Sequence, residues 1–255
     1  MTVRTGPDEK VPLIIAHRGG APDDIDNSWD AFASALRNGI DILESDVQVT
    51  ADGALVVLHD ERIEGVPVRN LRLVEIRTLV PTIMTFGDFL DRVEEMDAAA
   101  RFVIDMKGRD TDHYLAPVIQ ERGLALRSLV TSKHAPSLRR LAKQVPNVRT
   151  GLSRGGSLTT DLPWPLHHIF VRAMRLFVIT VGVVQARWCH ARYAVLQYSV
   201  LDRPTVRRLH RLGFRVDAWT VDDPDAARRL AANGVDLITS NIPVALRDDR
   251  ADDPL

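Results

Sequence analysis

Two histidines in this chain follow apolar runs and sit beside charged partners. His17 closes the run "LIIA" and is followed by Arg18, Gly19 and Gly20. An imidazole exchanges a proton near neutral pH, a guanidinium stays charged and offers phosphate a planar fork of donors, and glycines let a backbone turn tightly against a ligand. The competing reading is a solvated loop with an incidental histidine. His59 follows "ALVVL" and precedes Asp60, which either orients the imidazole or opens the next loop. Two imidazoles on opposite sides of a phosphodiester can divide the roles of base and acid.

Acidic residues lie between them. Glu44 and Asp46 alternate with Leu43, Ser45 and Val47, and Gln48 continues the alternation. On a strand, alternate residues share a face. Carboxylates held together repel unless a proton or cation compensates, and such oxygen donors suit magnesium or calcium. An exposed edge strand with ordinary charge alternation is the other possibility. Asp105 and Lys107 repeat the pattern: Asp105 completes a cation site and Lys107 meets phosphate, or the two form an ion pair on a rim. Asp26, Asn27 and Ser28 read first as a helix cap and second as support for His17. Trp219 is an apolar wall for substrate or a core residue. His113, His134, His167, His168, His190 and His210 lack comparable neighbours and are assigned to surface or packing.

These groups need a scaffold. Apolar runs at residues 13–16, 40–49, 101–106, 126–131, 148–152, 193–198, 215–220 and 235–239 read as eight main strands. A short strand at 54–58 delivers His59. Helical periodicity falls at 27–38, 86–96, 113–122, 137–144, 203–212 and 225–233, with Asn38-Gly39 a C-terminal signal. Strands alternating with helices imply parallel pairing, and eight such units suit a closed barrel. A doubly wound open sheet is the alternative, without a glycine-rich dinucleotide fingerprint to support it. Residues 60–85 read as a short, largely irregular cap-like excursion with 60–81 irregular. Residues 153–190 are the least legible: 169–177 suggests an amphipathic helix, and 176–184 suits a strand equally. Residues 248–255 are expected to fray.

The chain has 255 residues, 45% hydrophobic and 26% charged, with formal net charge -1. That balance opposes a broad nucleic-acid footprint. Cys189 is the sole cysteine, which excludes an internal disulfide and a cysteine metal cluster. Residues 1–13 contain no apolar targeting segment, and the apolar stretch from Leu176 reads as too short to span a bilayer. A cytoplasmic enzyme with peripheral membrane contact is expected.

Taken in order, His17-Arg18-Gly19, Asp26-Asn27-Ser28, Glu44, Asp46, Asp52-Gly53, His59-Asp60, Asp105, Lys107, "AWTVDD" and "GVDLITSNIP" resemble the glycerophosphodiester phosphodiesterase family. The resemblance implies an α/β protein with a TIM-type (β/α)8 barrel that cleaves glycerophosphodiesters to glycerol phosphate and an alcohol. It implies His17 and His59 as the acid–base pair, and one divalent cation, Mg2+ or Ca2+, held by Glu44, Asp46 and Asp105. It sets Arg18 and Lys107 around the phosphate, with a neighbouring glycerol hydroxyl attacking to form a cyclic phosphate. Asp26 and Asp105 stand where the family carries longer glutamates, and Ile25 stands where it carries proline. The short excursion after His59 leaves room for a bulkier substrate such as a lysophospholipid. The shortened acids also raise a noncatalytic phosphate-binding alternative.

Overall fold

β-Branched and aliphatic runs form strands here because each can bury alternate side chains on two sides, inside a barrel and beneath helices. The computed structural model describes residues 11–20, 26–40, 42–155 and 164–251. In chain order the strands are β1 (Leu13–Ala16), β2 (Ile42–Val49), β3 (Leu55–Val57), β4 (Arg62–Ile63), β5 (Val66–Pro67), β6 (Arg101–Met106), β7 (Ser128–Ser132), β8 (Arg149–Arg154), β9 (Tyr193–Gln197), β10 (Arg215–Trp219) and β11 (Leu237–Ser240). β1, β2, β6, β7, β8, β9, β10 and β11 pair in parallel, and β1 bonds both β2 and β11, which closes the sheet into a (β/α)8 barrel. β3 lies antiparallel on β2, with Val47 opposite Val57, outside the parallel barrel set.

The helices are α1 (Trp29–Arg37), α2 (Leu73–Leu79), α3 (Phe86–Met96), α4 (Asp112–Glu121), α5 (Ala135–Gln144), α6 (Trp164–Phe177), α7 (Val183–Trp188), α8 (Arg203–Arg211), α9 (Pro224–Asn233) and α10 (Pro243–Ala251). Ser28 caps α1 by accepting from the Ala31 amide at 3.2 Å. α1 and α3 bury Phe32, Phe86 and Phe89 against Phe102 of β6. Phe89 stands 4.5 Å from Phe32 and 5.9 Å from Phe102, ring centre to ring centre. Such pairs add about 0.5–1.5 kcal/mol each beyond area burial.

Three expectations change. The excursion is more ordered than an irregular segment: it contains the β4–β5 hairpin and α2. Val56, Val68 and Ile76 give it a small core, while Asp52 accepts from the Leu73 amide at 3.0 Å and Glu75 from the Arg72 amide at 2.7 Å. Residues 176–184 are helical, not a strand: α6 continues through a π turn (Val178–Gly182) into α7. Val178, Val183 and Ala186 bury against the barrel, and this packing overrides the local β preference. The tail continues as α10 to Ala251; residues 252–255, like Ile25 and residues 1–10, lie outside the described residues.

The combined helix also corrects the length argument. His168–Trp188 is long and apolar enough to cross a membrane by length and composition, with mean hydropathy 1.7. One face packs on the barrel. Leu166, Ile169, Phe170, Leu176, Val181 and Val184 are exposed on the rest.

Candidate active site

β1 ends in a single helical turn, His17–Gly19. Arg18 adopts φ +52° there, so its amide donates to Glu44 Oε2 at 2.8 Å. Gly19 holds φ +96°, and a Cβ at that position would meet the Ala31 Cβ at 2.6 Å, so only glycine lets the turn lie against α1. The turn aims His17 at Asn241, just past β11: Nδ1 of His17 and Oδ1 of Asn241 are 2.6 Å apart. Asp222 holds Asn241 in place, accepting from its side-chain amide and its backbone amide, each at 2.8 Å. With the Asn241 nitrogen committed to a carboxylate, its oxygen faces His17, so Nδ1 carries the proton and Nε2 keeps a lone pair. Burial, then the adjacent Arg18 charge, lowers the His17 pKa below 6.5, and Asn241 and Asp46 offset this in part.

Glu44 and Asp46 project together from β2 and are buried. Asp46 lies across from Asp105 on β6. Ligand oxygens of Glu44, Asp46 and Asp105 fall within 4.8 Å of one another. The Lys107 ammonium sits 2.9 Å from Asp46 and 2.5 Å from Asp105, and Thr131 donates to Asp105 at 2.8 Å. Burial pushes the Glu44 carboxyl well above its usual range, and Asp46 and Asp105 push it further. Burial also acts upward on Asp46, but Lys107 and Arg18 together outweigh it and hold that carboxylate low. Burial alone lowers the Lys107 pKa, yet Asp105 and Asp46 reverse the shift and raise it. Three hard oxygen donors, one strained toward protonation by its neighbours, fit a Mg2+- or Ca2+-type ion.

Asn27 locks Asp46 twice, donating to Oδ2 at 2.9 Å and accepting from the Asp46 amide at 3.2 Å. Capping of α1 therefore falls to Ser28, and Asn27 serves the acidic cluster. Arg18 reaches Asp26 at 2.6 Å and Asp46 at 3.2 Å. His59 follows β3 and pairs Nδ1 with Asp60 at 2.9 Å. Gln48 positions that loop by donating to the carbonyls of Leu58 at 2.8 Å and Asp60 at 2.7 Å.

His17, Arg18, Glu44, Asp46, His59, Asp105, Lys107 and Trp219 all line one cavity of about 220 Å3 at the C-terminal end of the barrel strands. Asp26, Asn27 and Asp60 border an adjoining cleft with Arg18 and His59. Trp219 is both wall and packing residue: it closes the cavity and rests on the inner-barrel cluster, and its buried Nε1 has no hydrogen-bond partner among the described residues. Sequence reasoning missed Asn241 and Asp222, although both fall in motifs quoted for the resemblance. It also missed Lys133, which lines the cavity and pairs with Glu61 of the excursion. A second acidic group, Asp110, Asp112 and His113, is bridged by Arg140 at 2.8 Å to both aspartates.

Asp217 lies on the cavity floor, wholly buried, and accepts from Thr239 at 3.0 Å. Burial raises its pKa from 3.8 to about 7. The folded carboxyl therefore stays protonated where the unfolded one ionises, and stability falls as pH rises from about 4 to about 7. At 1.36 kcal/mol per unit, the loss is about 4 kcal/mol by pH 8. D217N keeps the Thr239 bond without the ionisation. Urea unfolding is expected to show D217N more stable than wild type at pH 8, with the gap closing toward pH 4; parallel curves contradict this.

The model of the glycerophosphoryl diester phosphodiesterase family matches residues 17–245. The glycerophosphodiester phosphodiesterase of Caldanaerobacter subterraneus is 28% identical over 254 residues, covering 92% of this chain and 96% of its own. A glycerophosphodiester phosphodiesterase structure from Parabacteroides distasonis superposes with TM-score 0.76 at 22% identity, covering 95% of this chain and 98% of that one. A phosphodiesterase of Oleispira antarctica, solved with the product sn-glycerol-3-phosphate, gives TM-score 0.75 at 19% identity, covering 94% and 97%. At these identities the structural matches speak to the fold.

Proposed function

The chain belongs to the glycerophosphoryl diester phosphodiesterase family and is a glycerophosphodiester hydrolase, and from that premise we propose that cleavage proceeds by His17–His59 acid–base catalysis through a cyclic phosphate. The observation that carries this reading is the Asp222–Asn241–His17 chain of hydrogen bonds, which leaves Nε2 of a neutral imidazole free toward the cavity. Nε2 takes the proton of the glycerol hydroxyl next to the phosphate. The hydroxyl oxygen bonds to phosphorus, the bond from phosphorus to the leaving alcohol breaks, and the His59 imidazolium gives its proton to that alcohol. Asp60 orients His59 and balances the imidazolium charge. Water then opens the ring with the roles reversed: His59 takes its proton, and His17 returns one to the glycerol oxygen. Attack from within one molecule removes much of the entropic barrier.

Glu44, Asp46 and Asp105 would hold one divalent cation, which supplies Lewis-acid polarisation of a phosphoryl oxygen when bound. Arg18 and Lys107 add fixed positive charge beside the phosphate, and the Trp219 Nε1 can donate to a substrate oxygen. Incubation with glycerophosphocholine and glycerophosphoethanolamine, with Mg2+ or Ca2+, is expected to release glycerol phosphate. No turnover across such a panel would leave a phosphate-binding protein instead.

Asn241 acts on the imidazole and not on substrate. N241A is expected to lower kcat by roughly 10- to 100-fold with little change in KM, because the tautomer and ring angle are no longer set. Steady-state kinetics check this, and a wild-type kcat removes the positioning role.

A second reading is lysophospholipid cleavage at a lipid surface by a cytoplasmic enzyme. It is favoured by the exposed apolar residues of α6, a helix tied beyond the β9 end by Arg175, which bonds the Val200 carbonyl at 3.1 Å and Asp202 at 2.7 Å. Exposed apolar surface of this kind commonly marks a lipid or protein contact. Parallel assays of lysophosphatidylcholine and glycerophosphocholine decide it; an untouched lysophospholipid ends this reading.

A further inference from the structure

The barrel has a second charged layer at the end opposite His17. Side chains on one parity of each strand face inward: Val103 and Asp105 on β6, Ser153 on β8, and Asp217 and Trp219 on β10 all line the catalytic cavity. The same parity turns Arg101, Arg149 and Arg215, the first residues of those three strands, into the barrel. The registers that close the sheet put them in one layer with Leu13, drawn from alternate strands. Ile42, Leu129, Tyr193 and Leu237 lie between this layer and the catalytic mouth and belong to the inner apolar cluster. Three arginines thus occupy positions that barrels ordinarily fill with branched hydrocarbon.

Arg127 and Arg192 join them around a cavity of about 510 Å3. The Arg215 amide donates to the Arg192 carbonyl at 3.0 Å, which holds the start of β10 beside the residue that leads into β9. Arg127 is committed elsewhere, 2.5 Å from Glu94 and over the Phe102 ring. No carboxylate is among the described residues lining the cavity, and Arg149, Arg192 and Arg215 form no ion pair with a described carboxylate. Guanidinium groups cannot discharge by losing a proton. Gathered around one concavity they repel, and a bound polyanion relieves that repulsion while accepting paired N–H donors. The space lies within the roughly 300–1,000 Å3 of small-molecule sites.

We propose that this floor binds a small, multiply charged phosphate anion, at a site separate from the catalytic cavity. Concavity and size favour a free anion of pyrophosphate or tripolyphosphate dimensions over an extended polymer. The test is calorimetric titration of tripolyphosphate into metal-free protein: wild type, R149Q/R215Q and K107Q. Binding is expected in wild type and K107Q, and about tenfold weaker or absent in the double variant. Glycerophosphodiester turnover should be unchanged in R149Q/R215Q. Without ligand, that variant should melt no lower than wild type, since its removed charges repelled one another; if it does not fold, R215Q alone is read the same way. Absence of binding to wild type, equal binding to R149Q/R215Q, or loss in K107Q alone overturns the proposal; the last result puts the anion in the catalytic mouth.

Discussion

Replacing His17 by alanine is expected to lower kcat for glycerophosphodiester hydrolysis by about 10^3-fold, the range for removing a positioned proton carrier. H59A should cost a similar factor. His59 is well exposed, its side chain 42% accessible, so that variant should melt as wild type does. The pH profile separates the two roles. Burial and Arg18 hold His17 neutral to a pH below 6.5, so the base stays competent as the solution acidifies, and the acidic limb attributable to it should fall below that value. In H17A this limb should vanish with the rate. Purified variants, assayed for glycerol phosphate and melted in parallel, check the expectation. Wild-type turnover in either one defeats the acid–base assignment.

Removing divalent cations is expected to stop turnover, with Mg2+ or Ca2+ restoring it. Glu44 supplies the physical reason: burial and two neighbouring carboxylates oppose its ionisation, and a cation is what lets all three stay charged. Binding has a readout independent of rate. A ligand at 100 times its Kd stabilises the fold by about 2.7 kcal/mol, so the melting temperature of wild type should rise with added cation. In E44Q and D105N the rise should shrink or disappear. Lys107 already balances part of the charge on Asp46 and Asp105, so these apoproteins should still fold. Full activity in chelated protein, its metal content measured directly, would falsify the cation's role.

Much of the scaffold was legible because each barrel strand is a short apolar run bounded by turn residues, and α3 was readable from its periodicity and its Thr85 cap. Glu44 with Asp46, and Asp105 with Lys107, were legible as pairs because a period of two puts each pair on one face of its strand; the pairing of β2 with β6 then brings the two together. What escaped depended on distance along the chain. Asn241 meets His17 across 224 positions, and nothing near either residue announces the contact. The helix through Val178–Gly182 escaped for another reason: β-branched residues favour a strand locally, and only burial against the barrel decides otherwise. The arginine layer was invisible until strand register set Arg101, Arg149 and Arg215 at one level of the barrel on alternate strands. Asp26, Asn27 and Ser28 read together as a cap from spacing alone; the fold gives that task to Ser28 and turns Asn27 to Asp46.

The closure of β1 onto β11 has a consequence for biosynthesis. His17, the proposed base, is translated 224 positions ahead of Asn241, the amide that bonds it. A nascent chain can form the acidic cluster on β2 and β6 long before it can aim His17. On the proposed mechanism, a chain that stopped short of β11 would lack the amide that orients the base, however much of the rest of the barrel it had formed.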